Sequence, residues 1–287
     1  MSLFDRYVMV DWSAHSTPKR GRDSIWIASG TSRGRVDLVN PPTRHEAVAL
    51  LTDLVLANAK ERVLIGFDFS FGYPAGFAEA VLGVGAGWSE VWAMLHERIA
   101  DGATNTNNRF EVAAHLNASL DGTGPFWGHP GRSAPVARHR PAPGRLAEFR
   151  LTEQRVIEDG HRPFSSWQLA YPGSVGSQML LGIARVEGLR RDPRLVDRCR
   201  VWPFETGFGT ERIGGEPGSV VLAEMWPSMF PITSVESVRD AAQVDSVVRL
   251  LRAVDRSEEL AAWLTPSLSS EERRVALAEE GWTLGVR

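Results

Sequence analysis

Tyr7-Val8-Met9-Val10-Asp11-Trp12-Ser13 sets a carboxylate directly after a run of four apolar residues. The run has the length of a buried strand, and a charge at its end is costly unless it is solvated, paired or bound to a metal. Val63-Leu64-Ile65-Gly66-Phe67-Asp68-Phe69-Ser70 repeats the arrangement, with Asp68 following Phe67. Two strands that each end in a carboxylate predict a site shared by Asp11 and Asp68.

The sequence around these stretches has an orderly pattern. Tyr7 to Val10, Ser24 to Ala28 and Arg35 to Val39 read as three strands separated by Gly- and Ser-containing turns, as in an antiparallel meander. Thr43-Arg44-His45-Glu46 matches a capping box, and Ala47, Leu50, Leu51, Leu54 and Val55 recur at the spacing of one helical face. From Gly72 to Asp197 the chain is rich in Gly, Pro and Trp, with helices expected over Trp88 to Ala100 and Glu148 to Asp159 and turn formers dominating Asp121 to Gly144. Strand character returns at Cys199 to Phe204 and at Val220 to Pro227, and a helical region begins near Ser237. Ala241, Val244, Val248 and Leu251 give that region an apolar stripe with Asp245 beside it. A last short helix is expected after Ser270, ending at Gly281. The expected organisation is a single α/β domain, with a core over residues 1–71 and 198–287 and a mainly helical and loop insertion over 72–197.

Composition narrows the setting. The chain has 287 residues with 43% hydrophobic content, enough for a sizeable core. Its one cysteine, Cys199, excludes an internal disulfide framework and a multi-cysteine zinc site, which fits a cytoplasmic protein. No apolar run has the length of a membrane span, and the first residues lack the regions of a signal peptide, so no membrane partner is expected. A net charge of -3 argues against a broadly basic nucleic-acid coat.

The order strand-strand-strand-helix-strand, with Asp11 after the first strand and Asp68 after the fourth, resembles the RNase H-like fold: a mixed sheet flanked by helices. The further motifs Glu224-Met225-Trp226-Pro227 and Asp245-Ser246 are similar to those of its branch of predicted nucleases. That branch carries an Ile-Asp-x-Pro strand end, a Glu-x-x-Pro strand end and an Asp-Ala motif in the last helix. Here Ser70 stands at the first proline and Ser246 at the alanine. The likeness extends through Ser165 to Gln168, Ile183 to Val186 and Glu280 to Gly285. It implies a metal-dependent nuclease or related phosphotransferase in which Asp11, Asp68, Glu224 and Asp245 are catalytic metal ligands. Such two-metal chemistry needs hard oxygen ligands around ions about 3.5 to 4 Å apart, and an oxygen-only set implies Mg2+ or Mn2+.

Each residue also has an ordinary reading. Asp11 suits a turn, Glu224 a solvated strand end, and Asp245 an ion pair with Arg249 one helical turn away. Asp240 lies about 140° around the helix from Asp245, and Ser237 to Asp240 reads as a capping box. Arg132, Arg138, Arg140, Arg145 and Arg150 face one acid, Glu148, in their segment. Arg138, Arg140 and Arg145 are the candidate substrate-binding residues, contacting the phosphates of DNA or RNA, with a solvated loop as the alternative. An actin-like or sugar-kinase-like ATPase shares the opening strand and aspartate, but Trp12-Ser13-Ala14-His15 supplies no glycine-containing phosphate hairpin, and no Walker loop occurs. A non-catalytic binding protein is the remaining alternative.

Overall fold

The structure, a computed structural model, describes residues 2–120, 124–131, 136–213 and 215–287. Arg132 lies outside the described residues. Six strands form one mixed sheet: β1 (Arg6–Asp11), β2 (Trp26–Thr31), β3 (Asp37–Val39), β4 (Val63–Phe67), β5 (Cys199–Val201) and β6 (Val220–Glu224). Their order across the sheet is β3-β2-β1-β4-β6-β5. The first three form the antiparallel meander, with Val8 opposite Ser29 and Ala28 opposite Leu38. The remaining pairings are parallel, with Tyr7 beside Leu64 and Phe67 beside Glu224. All five residues of β4 and of β6 are buried, as befits central parallel strands covered on both faces.

Side chains alternate across the sheet and define two cores. Val8, Val10, Ile65, Phe67 and Leu222 belong to one, where α1 (Arg44–Ala57), α3 (Trp88–Arg98) and α6 (Val175–Arg190) add Leu51, Leu95 and Leu180. Tyr7, Met9, Leu64, Ala223 and Met225 belong to the other, where α7 (Arg239–Arg256) adds Val244, Val248 and Leu251. Thr43 caps α1 by accepting the Glu46 N–H, and Ala47, Leu51 and Val55 are buried as their spacing predicts. Leu50 is 40% exposed, because the buried stripe of α1 is narrower than the apolar pattern.

All strands of the sheet come from residues 6–67 and 199–224; between them lie α2 (Phe77–Leu82), α3, α4 (Arg109–Ser119), α5 (Leu151–Glu158) and α6. Gly182 lets α6 settle against the sheet-end aromatics, since a Cβ there would stand 2.5 Å from the Phe69 ring. The chain ends with α8 (Leu260–Trp263), α9 (Ser270–Val275) and a single π-helical turn over Ala276–Glu280 that stops at Gly281, where φ is 70°. Among the described residues, no helix is long and apolar enough to cross a membrane.

Candidate functional site

Asp11 and Asp68 follow Val10 and Phe67, which are paired in the parallel register of β1 and β4. The Asp68 N–H donates to the Val10 carbonyl at 3.0 Å, extending the ladder by one step and setting the two aspartates side by side at the strand ends. The alternation that sends Val10 and Phe67 into the α1/α6 core turns Asp11 and Asp68 toward the α7 side. Both are half-buried on the floor of a cleft of about 1210 Å³. Among the described residues, neither carboxylate accepts a hydrogen bond or enters an ion pair.

Asp240, in the first turn of α7, lines the same cleft and accepts the Asp23 N–H at 2.7 Å. Desolvation on the floor, followed by the charges of Asp68, Asp240 and Asp23, holds the Asp11 carboxyl well above the usual carboxylate range. Desolvation, then the charges of Glu224 and Asp240, push Asp68 up to about 7. These are uncompensated acids, an arrangement that favours a bound cation or a retained proton.

Glu224 has the opposite character. It shares the parity of Val220 and Leu222, which point into the α1/α6 core, so Met225 is the residue that follows the register of Asp11 and Asp68. Buried Arg150 donates to both Glu224 oxygens, Nη1 to Oε2 at 2.8 Å and Nη2 to Oε1 at 2.6 Å. The Phe71 N–H at 2.9 Å and the Thr283 hydroxyl at 2.6 Å complete the shell. Four donors occupy this carboxylate, which leaves it little capacity for a metal.

Asp245 does not line the cleft. It is 5% exposed and pairs with Arg249 at 3.0 Å, the alternative that its helical spacing offers. The reason is the course of α7. Its start lies by Asp23, at the end of the sheet where β1 finishes, and Asp255 near its other end binds Tyr7 and the Phe4 N–H. Asp245 is five residues beyond Asp240, about 7.5 Å along the axis from the site. The capping box expected at Ser237 is not formed; Val238 precedes the helix without a side-chain cap.

The arginine segment lies elsewhere. Arg140 and Arg145 line a separate cavity of about 750 Å³ beside Trp127 and Trp167, Arg140 is paired with Glu148, and Arg138 is exposed. None of the three lines the cleft. Arg150, by contrast, is fully buried as the partner of Glu224 and Glu153.

Sequence reasoning also passed over Arg109, at the first position of α4. It lines the cleft with Ser16, Phe110 and Ser177, and its side chain donates to Ser177 Oγ, Ser16 Oγ and Asn107 Oδ1 at 2.9, 3.0 and 2.7 Å. The one local signal is its adjacency to Phe110, over whose ring the guanidinium lies at 4.4 Å.

No group of three or more His, Cys, Asp or Glu poised to hold a metal occurs among the described residues. Of the carboxylates that line the cleft, Asp11 and Asp68 are the two left without a hydrogen-bond donor or ion-pair partner among the described residues. Comparison with protein-family models, with curated proteins and with solved structures finds no match.

Proposed function

We propose that the protein is a divalent-metal-dependent phosphoester hydrolase of RNase H-like fold, with Asp11 and Asp68 holding Mg2+ or Mn2+. The reading is carried by two neighbouring strand-end carboxylates that face an open cleft with no donor to neutralise them. The antiparallel β3-β2-β1 meander continued by parallel β4 supports the fold assignment. A divalent ion held by Asp11 and Asp68 would supply charge neutralisation at a phosphoryl oxygen and would acidify a water. The protein contributes the rest. The β1–β4 register fixes the two carboxylates, Asp240 adds negative potential from α7, and the Arg150 pair keeps Glu224 from moving toward them. Burial, then Glu224 and Asp240, push the Asp68 carboxyl up to about 7, so an ion there would compete with a proton for the same oxygens.

DNA and RNA fall within the phosphoester class, but Arg138, Arg140 and Arg145 add no support for a strand across this cleft. The test is hydrolysis of bis-p-nitrophenyl phosphate in Mn2+ by wild type, Asp11→Asn and Asp68→Asn. Turnover in wild type and its loss in both variants is expected; turnover that survives both substitutions overturns the assignment.

A further inference from the structure

The cleft carries a second uncompensated charge, and it is positive. Arg109 has no carboxylate within ion-pair distance among the described residues, although it is half-buried. Its partners Ser177, Ser16 and Asn107 are neutral, and Nη2 makes no hydrogen bond to any described residue. The nearest opposite charges, Glu111 and Asp101, act on it only through space, and Asp101 is committed to Arg44 and Arg185.

Its position compounds the cost. Arg109 opens the 11-residue helix α4, where the helix dipole disfavours a cation. Its Nε is bonded to Ser177 in the first turn of α6, a second helix whose N-terminal residues Ser174, Val175, Ser177 and Gln178 line the cleft. Two helix N-termini and a guanidinium thus face the cleft, with Glu111 the acid in the first turn of α4 and no carboxylate in ion-pair contact with Arg109 among the described residues. Burial, then Arg44, lowers the Arg109 guanidinium to about 10. The neighbouring His15 imidazole lies below its ordinary value through burial, then Lys19, with Arg109 and Arg44 adding to the effect and Asp23 opposing it. A fold keeps a half-buried cation without a counter-charge in such a place at a cost in stability, and a bound anion offsets that cost.

A phosphate group suits the donors. The Arg109 guanidinium, the hydroxyl-bearing residues Ser16, Thr17 and Ser174, and the first turn of α6 line the same cleft, and such donors match a tetrahedral oxyanion better than a planar one. The group held there is not the one at the carboxylates. Among the described residues Arg109 forms no ion pair with Asp11 or Asp68: it is held between α4, Ser16 and Ser177 of α6, whereas the two aspartates stand at the ends of β1 and β4. The two positions nevertheless belong to one cleft and are mechanically joined, since Gln178 of α6 donates to the carbonyl of Trp12, next to Asp11, at 2.6 Å.

We infer that Arg109 binds a second phosphate of the substrate while the phosphoester to be cleaved lies at Asp11 and Asp68, so that the preferred substrate is a phosphoester bearing two phosphate groups. The identity of the cleaved group rests on the proposed hydrolase function; the anion site at Arg109 does not.

The experiment separates the two. Inorganic phosphate is titrated into metal-free wild type, Asp11→Asn/Asp68→Asn, Arg109→Gln and Arg109→Lys, with acetate as the planar control. Phosphate should bind wild type and the double aspartate variant, and at least about tenfold more weakly to Arg109→Gln, the scale of a lost charged hydrogen bond. Arg109→Lys, which keeps the charge but loses the fork, should fall between. Because Arg109 also ties Ser16 to Ser177, the 15Nε resonance of Arg109 in unmodified wild type is followed as well and should shift with phosphate. A thymidine dinucleotide with a 5′-phosphate should then bind wild type at least about tenfold more tightly than the same dinucleotide without it, and this gain should vanish in Arg109→Gln. Equal phosphate affinity in Arg109→Gln, an unmoved Arg109 resonance, acetate binding as tight as phosphate, or no gain from the 5′-phosphate overturns the inference. Arg109-dependent phosphate binding in a protein that neither binds Mn2+ nor hydrolyses the diester refutes the hydrolase reading and leaves the anion site standing.

Discussion

Arg150 grips Glu224 through both Nη atoms, at 2.8 and 2.6 Å, and so divides the carboxylates of the cleft into two kinds. Glu224 is charge-compensated and fully hydrogen-bonded, whereas Asp11 and Asp68, two strands and one strand away, carry no donor among the described residues. The same guanidinium donates to the Glu280 carbonyl, and the Leu284 N–H donates to the Glu224 carbonyl, so the pair also fastens the chain's last segment to β6.

Removing the cation should therefore damage stability more than ion binding. In Arg150→Met, Glu224 keeps the Phe71 N–H and the Thr283 hydroxyl but becomes a buried charge without a partner, at a cost of about 3–5 kcal/mol. Urea denaturation measures the loss. Adding Glu224→Gln should restore part of it, and a double variant no more stable than Arg150→Met would show that the pair is not the source.

Asp11→Asn and Asp68→Asn should each weaken Mn2+ binding at least about tenfold, a loss of the order seen when a metal site loses a supporting group. Each should also raise the thermal midpoint of the metal-free protein at pH 8, since repulsion between desolvated acids is relieved. Titration calorimetry and thermal denaturation read the two effects. Unchanged affinity in both variants would remove the ligand assignment even if stability rose.

The raised carboxyl of Asp68 gives stability a definite pH dependence. The folded protein holds a proton up to about 7, whereas an ordinary aspartate in the unfolded chain releases it near 3.8. The folded state binds more protons between those values, so metal-free stability is fully present below the lower one and falls as pH rises toward the upper. The thermal midpoint should drop between pH 5 and pH 8 in wild type, drop less in Asp68→Asn, and be restored at pH 8 by Mn2+. Identical profiles for wild type and Asp68→Asn would contradict this.

The strand meander, α1 and the neighbouring aspartates are legible in the sequence because each depends on local periodicity and strand-end position. What was lost depended on tertiary phase. Glu224 ends a strand as Asp11 and Asp68 do, but it is one residue out of step with them, and its partner Arg150 lies 74 positions away. The apolar stripe of α7 was readable, yet nothing in it says which end meets Asp11. Helix α6 left no clear stripe because most of its 16 residues are buried, so a one-sided pattern never arises. The one local signal of Arg109, the adjacent Phe110, says nothing of its charge balance, which depends on having no acid in ion-pair contact among the described residues.

The phase of α7 is itself testable through its two aspartates. Asp240 is near enough to raise both Asp11 and Asp68, while Asp245 is turned to Arg249 about 7.5 Å farther along the helix. Asp240→Asn should lower the Asp68 carboxyl toward its ordinary value, followed by its 13C shift against pH, and should weaken Mn2+ binding at pH 8 through loss of negative potential. Asp245→Asn should leave both readings as in wild type, and its cost in stability should stay near the few tenths of a kcal/mol typical of such helical pairs. Asp240 also accepts the Asp23 N–H; Asp240→Asn keeps an acceptor without the charge, so comparison with Asp240→Ala, which has neither, distinguishes loss of potential from loss of that loop contact. If Asp245→Asn shifts Asp68 as much as Asp240→Asn does, the later aspartate faces the site and the course of α7 described above is wrong.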